Sequence, residues 1–160
     1  MKFQTIQRIS VFFAVAMIAV FSGCSDNVTF EDQMTIDKDL ILEYAADNNI
    51  DGQFDDDDVY YAVTKEGNGQ DFPDATDKVE IVYSGFLLNG TQFDSSNGFP
   101  VQFELGTLIR GWQLGLTHFS VGSEGVLLIP SRLGYGTNGA GSAVPGDAVL
   151  RFDIKLVDII

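Results

Sequence analysis

Apolar and polar residues alternate most cleanly in AVLRFDIKLVDII, where Leu150, Phe152, Ile154 and Leu156 fall on one side and Arg151, Asp153 and Lys155 on the other. A period of two predicts a half-buried antiparallel strand. The same alternation puts Val79, Ile81 and Tyr83 on one face of VEIVYSGFLLNGTQFD, and Asn89-Gly90 within it is a strong hairpin signal. VQFELG is a further short alternating strand, and VYYAVTKEG has the β-branched and aromatic residues of another, stopped by the turn-forming GNGQDFPD. GVLLIP is apolar throughout, as a buried strand would be, and ends at Pro130. LGYGTNGAGSAVPGD, with five glycines and one proline, reads as a long loop.

Two stretches have helical spacing instead. Ile36, Leu40, Ile41 and Tyr44 predict an amphipathic helix over 36–46, with Thr35 as its candidate N-cap. Ser25 to Gln33 shows no period and reads as a flexible tether. In residues 109–118 the chain sets its one tryptophan beside Gly111 and Gly115. A glycine inside a helix costs roughly 0.5 to 1 kcal/mol relative to alanine, so this helix is short. The elements together predict an α+β plan, a curved antiparallel sheet wrapped around one short helix and preceded by an acidic helical segment. The hollow between sheet and helix is where aromatic side chains converge, and where Trp112 belongs.

Charge and the leader change this picture at one end. Lys2 and Arg8 precede an uncharged apolar run, Ile9 to Phe21, with the layout of a secretory signal and too short for a membrane span. FSGC, ending at Cys24, resembles the lipobox of bacterial lipoproteins, which implies that residues 1–23 are removed and that Cys24 carries lipid; an ordinary signal peptide is the alternative. Cys24 is the only cysteine, so no intramolecular disulfide can form. Without Lys2 and Arg8 the chain holds seven basic against 23 acidic residues, a formal charge of −16. That excludes a nucleic-acid partner, because phosphates need cationic neutralisation. Residues 25–80 hold 17 acidic and 3 basic side chains, residues 81–160 only 6 and 4, so the first part reads as a solvated spacer and the second as a packed domain.

VEIVYSGFLLNGTQFDSS, LIRGWQLGL, SVGSEGVLLIPSRLGYGTNGAG and VPGDAVLRFDIKL resemble, in unbroken order, successive blocks of the FKBP-type peptidyl-prolyl isomerases. The resemblance covers 59–160 and implies three regions: a signal peptide (1–23), an acidic tether with one helix (24–58) and an FKBP-type domain (59–160). It implies that Trp112 is the floor of a proline pocket, with Tyr83, Phe93 and Phe152 as apolar walls. Leu108 and Ile109 are then the segment under the peptide, with the Ile109 N–H as donor. Asp94 is the polar group at the rim, Tyr135 offers its hydroxyl to a substrate carbonyl, and Ala143 and Val144 form a lip on the glycine-rich loop. Asp94 has a rival role as a turn residue bonded to the backbone near Ser95 and Ser96. Three positions depart from the family pattern. Val101 stands where an aromatic wall is usual, Ala143 replaces a larger aliphatic, and Arg110 replaces the proline often found before GW. These departures put macrolide binding in more doubt than isomerase activity.

The implied activity needs no bond chemistry. Rotation about a peptide bond costs roughly 18 to 20 kcal/mol, and before proline it takes tens to hundreds of seconds uncatalysed, as a general magnitude. The sequence offers no nucleophile–base set and no metal-ligand spacing of Cys and His, so neither cofactor nor metal is expected. His118 lies outside every pocket position and reads as a structural residue. One competing pattern remains: DNNIDGQFDDDD places Asp47, Asn49, Asp51 and Asp58 at the ligand positions of an EF-hand calcium loop, though with aspartate last and a strand following. An acidic linker fits that stretch better. The sequence thus predicts an extracytoplasmic, lipid-anchored isomerase on the periplasmic or cell-surface side of a bacterial membrane, with proline-containing polypeptides and macrolides as candidate partners. A non-catalytic proline-peptide-binding or chaperone module on the same fold is the alternative.

Overall fold

The computed structural model describes residues 29–160; the apolar leader and Cys24 lie outside them. Helix α1 runs Phe30–Asp47, starting earlier than its apolar period suggests. Thr29, not Thr35, is the N-cap. Its Oγ1 accepts from the Asp32 N–H at 3.2 Å while its own N–H donates to Asp32 Oδ2 at 3.1 Å, a reciprocal capping box. Such a box is wholly polar and leaves no trace in a hydrophobic pattern, so the segment expected as tether to Gln33 is helical from Phe30. The buried stripe also differs from the expected one. Ile36 and Leu40 are 43% and 41% exposed, and the residues turned inward are Asp37, Ile41 and Ala45, four apart.

Seven strands follow: β1 Gln53–Phe54, β2 Tyr60–Lys65, β3 Lys78–Leu87, β4 Gln92–Ser95, β5 Val101–Glu104, β6 Glu124–Ile129 and β7 Leu150–Ile159. They form one antiparallel sheet in the order β1-β2-β6-β7-β3-β4, with β5 pairing the first half of β3. The Asn89-Gly90 turn joins β3 to β4 as its sequence predicts, Gly90 taking φ 86°.

Both faces of the sheet are covered. On one, Leu127 and Ile129 of β6 and Leu150, Phe152, Ile154 and Leu156 of β7 pack with Val79, Ile81, Trp112, Leu116 and Phe119. On the other, Ile41 and Ala45 of α1 pack with Tyr60, Val126, Leu128 and Val149. This explains why GVLLIP is apolar throughout: alternate residues of β6 serve the two cores. It also means that the outward face of β7 is not bare. Arg151 makes a paired hydrogen bond to Asp153, 2.9 Å on each oxygen, and its Nη1 donates to the Tyr44 hydroxyl on α1 at 2.9 Å. Part of the acidic preface is therefore built into the fold and does not act as a free spacer.

Helix α2, Arg110–Gly115, continues as a 3-10 turn through His118 and crosses the first face. Its glycines set its distance from β6. A Cβ on Gly115 would lie 2.7 Å from Leu127 Cδ2, and one on Gly111 would lie 2.8 Å from Ile129 Cδ1 and closer still to its Cγ2. With no side chains there, the helix backbone rests directly on the strand.

Candidate functional site

Lowering α2 onto β6 puts Trp112 at the bottom of a hollow of about 280 Å³, and the indole is 4% exposed. Three rings stand perpendicular to it: Tyr83 from β3 at 5.2 Å and 87°, Phe152 from β7 at 5.2 Å and 88°, and Phe103 from β5 at 6.2 Å and 85°. Edge-to-face pairs of this kind contribute roughly 0.5 to 1.5 kcal/mol beyond their buried area, so floor and walls hold one another. The indole Nε1–H is buried and has no acceptor among the described residues. Gly85 makes room for the far wall. A Cβ there would lie 2.8 Å from both Phe152 and Phe93, whose rings meet at 5.5 Å and 86°.

The polar groups sit at the rim. The Tyr83 hydroxyl donates to Asp94 Oδ2 at 2.9 Å, and Asp94 Oδ1 accepts from the Ser95 N–H at 2.8 Å, so Asp94 is a rim group and a turn residue at once. Ser96 fastens the same corner, donating its N–H to the Tyr83 carbonyl at 3.0 Å and accepting the Tyr83 N–H on Oγ at 3.1 Å. Burial, then the bond to Asp94 and its negative charge, push the Tyr83 phenol up to about 12. Burial and the Asp94 charge push Tyr135 up as well. Both hydroxyls therefore remain proton donors through neutral pH.

Leu108 and Ile109 line the hollow as expected, together with Thr107 and Tyr135. Gln113 Nε2 donates to the Leu108 carbonyl at 2.7 Å and fixes that segment to α2. Phe93 lies behind the wall and joins it to the loop, with Tyr135 at 6.5 Å and 85°.

Phe93, expected as a wall, thus stands outside the lining, and three more expected positions fall elsewhere. Val101, 36% exposed, is opposite Ile81 at the start of β5 and is not part of the lining; the β5 residue that faces the indole is Phe103. The two lie on the same strand face, so alternation alone leaves the choice between them open. Ala143 is exposed and Val144 is buried in the main core, because Ala140 and Val144 pair as a tight antiparallel bridge with hydrogen bonds of 2.8 and 3.1 Å. That turn directs the lip residues away from the hollow.

His118 stacks on Tyr61 at 3.9 Å and 3°, with Nε2 3.4 Å from Asp55 Oδ2, remote from the indole floor. The calcium pattern is not assembled. Gln53 and Phe54 pair with β2, which draws the middle of that stretch out as a strand, and Asp58 is engaged by Lys38 at 2.6 Å and Arg132 at 2.7 Å. Among the described residues, no three His, Cys, Asp or Glu side chains are grouped to hold a metal.

The model of the FKBP-type peptidyl-prolyl cis-trans isomerase family matches residues 69–157. An FKBP-type isomerase, FkpA, of Aeromonas hydrophila is 46% identical over 103 residues, 63% of this chain and 38% of that protein. FK506-binding protein 2 of Dictyostelium discoideum is 46% identical over 87 residues, 52% of this chain and 65% of that one. The chain thus spans less than two thirds of either relative. Among solved structures, a peptidyl-prolyl isomerase of Pseudomonas syringae pv. tomato superposes with a TM-score of 0.70 at 29% identity, over 82% of this chain and 96% of that one. FkpA of Escherichia coli gives 0.69 at 30%, over 81% and 60%. With its family match spanning more than half its length and its sheet closed over an aromatic-floored hollow, the chain belongs to the FKBP-type peptidyl-prolyl cis-trans isomerases.

Proposed function

We propose that the chain accelerates rotation of X-Pro bonds in polypeptides outside the cytoplasm. The observation that carries this reading is the hollow itself: an indole floor, three perpendicular aromatic walls and polar groups confined to the rim. A planar amide is stabilised by resonance and carries separated charge; twisted toward the transition state it loses both. A dry aromatic site therefore favours the twisted form over the planar one, which is the only kind of binding that speeds a reaction. The proline ring rests on Trp112 between Tyr83, Phe103 and Phe152. The Ile109 N–H and the Tyr135 hydroxyl hold the flanking carbonyls, while Asp94 orients the Tyr83 phenol. No proton or covalent bond has to move.

Macrolides are the second ligand class for the same floor, whose β5 wall is Phe103. Processing at Cys24 and lipid attachment would place the domain on the periplasmic or cell-surface side of a membrane. Two or more acyl chains are needed for stable anchoring, and Cys24→Ser should move the protein to the soluble fraction. The deciding experiment is the isomerisation of a leucine-proline or phenylalanine-proline tetrapeptide. A wild-type protein that binds the peptide without accelerating it would establish the alternative, a proline-binding module or chaperone.

A further inference from the structure

We propose that Asp37 of α1 is a positioning residue for the loop that carries Tyr135, making the acidic preface a working part of the isomerase. The proposal rests on the role given to Tyr135 above.

Asp37 is out of keeping with its helix. The other acidic side chains of α1 are exposed, whereas Asp37 is fully buried, on the row that otherwise holds Ile41 and Ala45. A buried carboxylate is costly unless its oxygens are bonded, and here they are. Oδ2 accepts the Ser131 N–H at 2.8 Å and the Ser131 hydroxyl at 2.7 Å, while Oδ1 accepts from Gln33 Nε2 at 2.7 Å. Ser131 opens a 3-10 turn, Ser131–Leu133, which leads within four residues to Tyr135. An orphan N–H at the head of a turn needs a partner; here the partner comes from a helix 94 residues earlier in the chain.

A second tie falls on the next residue. Arg132 donates to the Asp57 carbonyl at 3.1 Å and to Asp58 at 2.7 Å, and Asp58 is in turn 2.6 Å from Lys38 of α1. Ser131 is thus held by Asp37 directly, and Arg132 is linked to Lys38 of α1 through Asp58. Beyond Tyr135 the backbone turns through Gly136, Gly139 and Gly141, all at positive φ. Backbone bonds within the loop tie that side, the Asp147 N–H donating to the Gly136 carbonyl at 3.0 Å, whereas the side-chain ties from outside the loop fall on the N-terminal side of the tyrosine, at Ser131 and Arg132.

The test combines hydrogen exchange with a double-mutant cycle on the full chain. Asp37→Ala should speed exchange of the Ser131, Leu133 and Gly134 amides and leave those of β3 and β7 unchanged; Asp37→Asn, which keeps an acceptor, should restore most of the protection. In the proline-peptide assay Asp37→Ala should lower kcat by about threefold to tenfold, with KM little changed. In a Tyr135→Phe background it should cost nothing further, because the hydroxyl it positions is gone. Ser131→Ala, which loses one bond of the pair, should give a smaller effect in the same direction and serves if Asp37→Ala folds poorly. Unchanged loop exchange, equal acceleration across β3 and β7, or losses that multiply in the double mutant would each overturn the proposal. A wild type without isomerase activity would overturn the functional reading instead, and the exchange measurement would still decide whether α1 holds the loop.

Discussion

Replacing Gly111 by alanine sets two opposed effects against each other. Alanine is better than glycine in a helix interior by about 0.8 to 1.0 kcal/mol, and Gly111 has an ordinary right-handed conformation, so nothing in the backbone forbids the change. Against this, the new methyl would lie 2.8 Å from Ile129 Cδ1 and closer to Cγ2, and Ile129 is fully buried in the core. Pressing an extra methyl into a packed core costs about 1 to 3 kcal/mol. Overpacking wins, and Gly111→Ala should destabilise the protein by about 1 kcal/mol, the difference between those ranges. The strain relaxes by lifting α2 from β6, and the next residue is Trp112. The floor rises into the hollow, so kcat/KM should fall by about threefold to tenfold, near 1 kcal/mol of barrier. Urea unfolding and the proline-peptide assay measure the two effects. Ile129→Ala, costing roughly 2 to 5 kcal/mol by itself, should cost less in the Gly111→Ala background, because the methyl enters the space it vacates. A Gly111→Ala protein that is more stable than wild type and fully active would refute the claim that glycine here sets the height of the floor.

Alkaline pH should expose the Tyr83–Asp94 bond. The Tyr83 phenol is raised in the fold to about 12 from an ordinary 10.0, so its contribution to stability is complete below pH 10 and is lost as pH rises through 12. Tyr83→Phe should flatten the stability-pH profile in that window, and an unaltered slope would show that other groups control it. Phe152→Tyr puts a hydroxyl into the dry wall at a cost of roughly 1 to 3 kcal/mol; the peptide assay should register a loss of about fivefold to a hundredfold, and an unchanged rate would mean that the wall is wet. Asp58→Asn keeps the left-handed backbone at φ 72° but weakens the link between Lys38 and Arg132. Thermal unfolding should show a loss of about 0.2 to 1 kcal/mol, whereas calcium should leave the wild-type melting curve unmoved.

The sequence made the sheet legible because strands advertise themselves by a period of two: β3 and β7, with their hairpin and their inward residues, fall where the alternation puts them. Gly111 and Gly115 mark a short helix in the sequence, and Trp112 beside them belongs in the hollow, but the fit of the two glycines against Ile129 and Leu127 shows only in the structure. The misread parts share a different cause. At α1 the buried stripe begins with Asp37, and a carboxylate there shifts the apparent apolar face by one residue, to Ile36 and Leu40. What justifies that carboxylate is Ser131, which no local pattern connects to it. Phe103 was passed over for Val101 because both lie on one face of β5, and only the tertiary approach of α2 chooses between them. Ala143 and Val144 were misplaced because a five-residue bridge in a glycine-rich loop reverses which side chain points inward.

The strand order has a bearing on how this molecule comes into being. β7 lies between β6 and β3 and is hydrogen-bonded to both, yet it is synthesised after every other strand in the sheet. Without it, β1-β2-β6 and β3-β4-β5 are two fragments, each with a long unpaired edge and half of a core. Edges of that kind invite pairing with other chains, and contacts that span so much sequence form slowly. A nascent chain should therefore stay unfolded until residues 150–159 have left the ribosome, and depend on holding factors until its last strand arrives.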